Sequence, residues 1–213
     1  MSGKLVLIQL SSIMIWSDAE LVATTFIPTG RHDTYPAVDP AKADLSGKVV
    51  VLTGASKGIG RAIALAIAQS GARGLILLAR SSLDAVKEQC LAAQRRGHPL
   101  EVLAVQTDVA NNEQVVAAAK RVEDTFGRVD VVINNAGYAE RYNYIADSDP
   151  DDWWKVWNVN LRGPYHVTRA FLPLLIKSGG DKTIVNVASI AADILLPRYS
   201  SYAVRRMRCR PFL

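Results

Sequence analysis

Three glycines carry the first chemical signal in this chain. In Thr53–Gly60, "TGASKGIG", Gly54, Gly58 and Gly60 follow a run of β-branched residues and open a stretch with helical spacing. A strand that turns through glycines into a helix builds an anion site. Gly54 permits the tight turn, Gly58 lets the backbone approach a pyrophosphate, and Gly60 allows close contact between helix and strand. The unpaired N–H groups at the start of the helix then face the anion. Chemistry of this kind needs the loop to sit at the carboxyl end of a strand, so the elements around it decide whether the motif has its context.

They supply it. "KVVVLTG" (Lys48–Gly54) is a continuous apolar run, as expected of a strand buried on both faces of a parallel sheet. "IGRAIALAIAQSG" follows as a helix stopped by Gly71. "GLILLAR" is a second strand, and "SSLDAVKEQCLAAQRRG" a second helix that Ser81 or Ser82 could cap. "LEVLAVQTDV" and "VDVVINNAG" read as the third and fourth strands, with the helix "NNEQVVAAAKRVEDTFG" between them. Asp149 to Gly179 reads as one long helix, and "KTIVNVAS" as the fifth strand. Strict alternation of strand and helix predicts an α/β fold, a Rossmann-like doubly wound parallel sheet between two helical layers. Ligands in such sheets bind beyond the carboxyl ends of the strands.

Composition narrows the partners. The chain has 213 residues, is 49% hydrophobic and 21% charged, and fits one domain with a short appendage. Its two cysteines, Cys90 and Cys209, are too few for a disulfide framework, which favours a reducing, cytoplasmic setting. The net charge of +5 is confined to the tail, because five arginines (198, 205, 206, 208 and 210) fall in the last sixteen residues. A neutral body argues against nucleic acid as a partner. Leu5–Trp16, "LVLIQLSSIMIW", resembles a signal-peptide core. It is too short to span a bilayer and no clear cleavage site follows, so the expectation is an arm packed on the domain, with neither export nor membrane anchoring. No metal-ligand pattern is read.

The spacing Gly-x-x-x-Gly-x-Gly, the "NNAG" at Asn134–Gly137, a serine ending the fifth strand and a tyrosine thirteen residues later together resemble the short-chain dehydrogenase/reductase family. The resemblance runs from about Leu45 to Tyr202, and the lead-in "DTYPAVDPAKADLSGK" is similar to fungal members. It implies hydride transfer between a nicotinamide dinucleotide and a small-molecule alcohol or ketone, in a fungal-like member with a role in secondary metabolism. The cofactor would sit on Gly54, Ser56, Lys57, Gly58, Ile59, Gly60, Arg80, Asp108, Asn135, Ala136, Gly137 and Tyr202. An acid at the end of the second strand would bind the ribose hydroxyls of NAD; this chain has Arg80 there and Lys57 in the glycine loop, a pair suited to the 2′-phosphate of NADP(H). Taken alone, Arg80 also reads as a solvated strand-end charge, and Asp108 as a helix N-cap instead of an adenine acceptor. Asn134 is expected to tie neighbouring strands together.

For catalysis, the resemblance assigns Ser189 to the substrate oxygen, Tyr202 to proton donation, and Asn160 to a bound water, with Asn158 the weaker candidate. The family's lysine, one helical turn beyond the tyrosine, is replaced by Arg206, which keeps the charge but cannot relay a proton as lysine can. Residues 1–44 then read as arm and lead-in, 45–204 as the dinucleotide domain, and 205–213 as a divergent basic tail. The expectation is a family member truncated after the tyrosine, lacking a sixth and a seventh strand. The fifth strand, with Ile184, Val185 and Val187, would then be an exposed sheet edge prone to aggregation. Trp153, Trp154 and Trp157 lie on the helix that resembles a family oligomer interface, implying a homo-oligomer weakened by truncation. A second reading is a catalytically silent dinucleotide-binding or interaction protein; another, for the tail, is a genuine binding extension.

Overall fold

A computed structural model describes residues 9–12, 35–141, 143–180, 182–189 and 198. Six strands form one parallel sheet: β1 (Gln9–Ser12), β2 (Val49–Thr53), β3 (Gly74–Ala79), β4 (Glu101–Gln106), β5 (Val131–Asn134) and β6 (Thr183–Ser189). Their order is β1-β6-β5-β2-β3-β4. The helices are α1 (Gly58–Gln69), α2 (Asp84–Ala93), α3 (Asn112–Phe126), α4 (Pro150–Trp157) and α5 (Gly163–Lys177).

The central strand shows why the apolar run works. Side chains alternate across a strand, so Val49 and Val51 enter one buried layer while Val50 and Leu52 enter the other. The first layer includes Val115 and Val122 of α3 with Phe171 and Leu175 of α5. The second includes Ala64 and Ile67 of α1 with Val86 and Cys90 of α2. All four β2 residues are essentially fully buried, and each such side chain contributes roughly 1.5–3 kcal/mol of burial. The doubly wound sheet is therefore as the pattern predicts.

Three local departures follow from the details. Neither Ser81 nor Ser82 caps α2 as N-cap residue; Leu83 holds that place, and Ser82 Oγ accepts from Asp84 N at 3.3 Å in the preceding turn. The long helix between Asp149 and Gly179 is interrupted: Asn158–Arg162 form a π-turn between α4 and α5. The fifth predicted strand is not the sheet edge. Residues 9–12 pair in parallel with its second half, Gln9 opposite Asn186 and Ser12 opposite Ser189, while Thr183–Asn186 pair with β5 on the other side. Ile184 and Val185 are buried. Of the apolar N-terminal stretch only these four residues are described, and their backbone pairs with β6.

Candidate functional site

Because the sheet is parallel, the loops after β2, β3, β4 and β5 emerge along one side of the molecule. They enclose a cleft of about 790 Å³. Gly54, Ser56, Lys57, Gly58, Ile59, Gly60, Arg80, Asp108, Asn135, Ala136 and Gly137 all line it. Thus every described residue expected to hold a cofactor converges on one cavity. Ser189 and Asn160 are not among its lining residues; Ser189 ends β6 on the same side of the sheet, and Tyr202 and Arg206 lie outside the described residues.

The glycine loop is shaped by close backbone approaches. Gly54 has φ 66°, and a Cβ there would lie 2.7 Å from Ala136 Cα. A Cβ on Gly60 would lie 2.1 Å from Gly54 O and 2.7 Å from Asn135 Nδ2. Thr53 and Asn135 tie the loop to the β5 turn. Thr53 Oγ1 accepts from Asn135 N and Ala136 N, both at 3.0 Å, while Asn135 Nδ2 donates to Thr53 O at 2.9 Å and Gly54 O at 3.2 Å. No side chain caps the start of α1, so its first N–H groups are left to an anion in the cleft. A phosphorylated dinucleotide fits this cradle.

On the rim, Lys57 and Arg80 are both exposed. Their neighbours are joined, Ser81 Oγ donating to Ser56 Oγ at 2.9 Å, and the Arg80 carbonyl accepts from Gln106 Nε2 at 2.6 Å. Asp108 does not cap α3: Asn111 does, accepting from Gln114 N at 3.1 Å, while Asp108 Oδ1 accepts from Ala110 N at 3.0 Å. Asn134 Nδ2 donates to Asn186 Oδ1 at 2.9 Å, joining β5 to β6 as expected of a strand tie.

Asn160 sits in the π-turn and is 1% exposed. Its Oδ1 accepts from Tyr138 N at 2.7 Å and its Nδ2 donates to Tyr138 O, so the side chain clamps the backbone just beyond "NNAG". Tyr138 in turn donates its hydroxyl to Asp152 Oδ1 at 2.5 Å, beneath the ammonium of Lys155. That hydrogen bond holds the Tyr138 phenol above its ordinary pKa and the Asp152 carboxyl below its own.

The family profile for short chain dehydrogenases matches residues 48–204. The chain belongs to the short-chain dehydrogenase family. It is 50% identical over 185 residues to the short chain dehydrogenase mpl6 of Monascus purpureus, covering 86% of this chain and 63% of that protein. The chain thus spans under two thirds of that relative's length. Among solved structures, it is similar to an alcohol dehydrogenase from the archaeon Thermococcus sibiricus complexed with 5-hydroxy-NADP, with a TM-score of 0.68 and 33% identity over 78% of this chain and 68% of that one. An NAD+-bound xylitol dehydrogenase matches with a TM-score of 0.68 and 30% identity, covering 78% and 62%.

Within this short-chain dehydrogenase fold, motif reading missed Ser81, Thr107 and Val109, which also line the cleft. Ser81 was legible as a hydroxyl beside Arg80. Val109 carries no chemical signal beyond its place after a strand. Tyr138 directly follows "NNAG", and that position was its signal. The three tryptophans cluster, with Trp153 and Trp154 centroids 5.0 Å apart, and Trp154 is 58% exposed. Among the described residues, no helix is long and apolar enough to cross a membrane.

Proposed function

We propose that this short-chain dehydrogenase binds NADP(H) in preference to NAD(H) and interconverts an alcohol and a ketone. The observation that carries the cofactor choice is the pair Lys57 and Arg80 on the rim of the glycine-lined cleft, each next in sequence to a serine (Ser56 and Ser81) that also lines it. Two cations and two hydroxyls suit a phosphate dianion, and β3 ends without the carboxylate that would repel it. Bound dinucleotide supplies or accepts the hydride. In this reading Ser189 holds the substrate oxygen, Tyr202 holds the proton exchanged at that oxygen, Asn160 fixes the neighbouring loop, and Arg206 supplies positive charge near the phenol. The test is a titration with NADPH and NADH. We expect NADPH to bind about tenfold or more tightly, and Arg80→Asp to reverse the order. Equal binding of the two by the unsubstituted chain overturns the assignment.

Arg206 also favours a second reading, a chain that binds cofactor with little turnover. Arginine does not relay protons, and general acid–base assistance is worth on the order of a hundred- to ten-thousand-fold. Ketone-dependent NADPH oxidation separates the two. Robust turnover in the unsubstituted chain excludes the silent reading. Turnover that is barely detectable and poorly restored by Arg206→Lys supports it.

A further inference from the structure

His166 is a buried imidazole with no part in the site so far described. It is 4% exposed, on the first turns of α5, and its Nδ1 lies 3.0 Å from the carbonyl oxygen of Val109. Val109 is in the loop after β4 and lines the cleft between Asp108 and α3. One turn earlier, Gly163 brings the α5 backbone so close that a Cβ there would lie 2.8 Å from Val109 Cγ2. The helix therefore grips Val109 twice, by close packing and by a polar contact to its carbonyl. The π-turn just before this helix places Asn160 on the Tyr138 backbone.

Resting on the dinucleotide reading above, we propose that His166 is a positioning residue for the adenosine end of the cofactor, acting through the Val109 backbone. Arg80 and Ser81 put the 2′-phosphate, and hence the adenosine, at the β3–β4 end of the cleft. The Asp108–Val109 loop is the wall of that end. A carbonyl oxygen can only accept, so the imidazole donates from Nδ1 to Val109 O, and both residues are buried. A buried acceptor without a donor is costly, so loss of the imidazole releases the loop to seek another partner. Ala110 N donates to Asp108 Oδ1 and Asp108 N donates to Gln114 Oε1 at the start of α3; these bonds are local in sequence, whereas His166 reaches the loop from another helix.

Two variants separate the hydrogen bond from packing. His166→Phe keeps a buried ring and removes the donor; His166→Asn keeps an N–H near the place of Nδ1. The probes are NADPH, adenosine 2′,5′-bisphosphate and nicotinamide mononucleotide, with backbone hydrogen exchange measured on ligand-free protein. We expect His166→Phe to weaken NADPH and the bisphosphate in parallel by about tenfold, and His166→Asn by about threefold or less. Nicotinamide mononucleotide binding should not change, and exchange should quicken at residues 108–111 but not at 135–138. Unchanged binding in His166→Phe, equal loss for both half-ligands, or an Asn variant no better than the Phe variant overturns the proposal. If the unsubstituted chain binds neither NADPH nor the bisphosphate, the cofactor reading itself fails, and the exchange comparison alone then upholds or overturns the anchor.

Discussion

The glycine loop and the segment from the π-turn into α5 hold the loops around the cleft by opposite means. Gly54 and Gly60 work through the absence of side chains, so that backbone can lie against backbone at distances no Cβ would tolerate. Asn160 and His166 work through side chains that reach backbone groups of remote loops, at Tyr138 and Val109. The first device leaves a mark in the sequence, because only glycine serves. The second leaves almost none, because the group recognised is a peptide unit that every residue carries. A cleft can thus be half announced and half silent in its own sequence.

The largest effect should come from breaking the first device. Gly60→Ala places a methyl 2.1 Å from Gly54 O, a backbone atom that cannot swing away. Either the loop or α1 must move, at a cost of about 3 kcal/mol. We expect dinucleotide affinity to fall by about a hundredfold or more, with a lowered melting temperature. Binding calorimetry and thermal denaturation check both, and near-native binding by Gly60→Ala would mean that the loop is not tightly packed against the β5 turn.

Much of the fold was legible for the same reason that the glycines were. β2 alternates between two buried layers, and every residue of that run could be placed from apolarity alone. The loop residues at the strand ends followed from the parallel topology. What could not be read was geometry set by non-local contacts. The π-turn at Asn158–Arg162 sits inside a sequence whose spacing continues as one helix, and the contacts around it, from Asn160 to Tyr138 and from His166 to Val109, are far apart in sequence. Gln9–Ser12 lies in a stretch whose apolarity fits a leader or an arm equally well; its partner, β6, is more than 170 residues away. Tyr202 and Arg206, to which the proposed chemistry assigns the proton and its neighbouring charge, lie outside the described residues.

An intermediate effect should follow from breaking the second device. Asn160→Ala removes both partners of the Tyr138 peptide groups in a site that is almost wholly buried. Leaving such groups unpaired costs about 1–3 kcal/mol. We expect the melting temperature to fall clearly. NADPH binding should weaken by about threefold, much less than for the glycine change, because Asn160 does not line the cleft. Asn160→Asp should recover the acceptor to Tyr138 N but not the donor to Tyr138 O, and so fall between the two. A binding loss as large as that of Gly60→Ala would erase the distinction between direct lining and remote clamping.

The smallest effect concerns the hydroxyl that the same clamp presents. Tyr138 donates to Asp152, which raises the phenol's pKa above its ordinary value and lowers the carboxyl's. The signs define a window. Asp152, depressed in the folded state, contributes stability that is present above the ordinary carboxylate pKa of about 3.9 and is lost as pH falls through its lower folded value. Tyr138, raised in the folded state, contributes below about 10 and loses that contribution as pH rises through its higher folded value. Both groups reach solvent, so the gain in stability is small, as for other exposed pairs. Spectroscopy is the sensitive measurement. The phenolate absorbance titration of the unsubstituted chain minus that of Tyr138→Phe should have its midpoint above about 10, and Asp152→Asn should bring it down toward that value. A difference titration centred on the ordinary phenol value in the unsubstituted chain would show that the hydroxyl faces water instead of Asp152, and that Asn160 holds the Tyr138 backbone without orienting its ring.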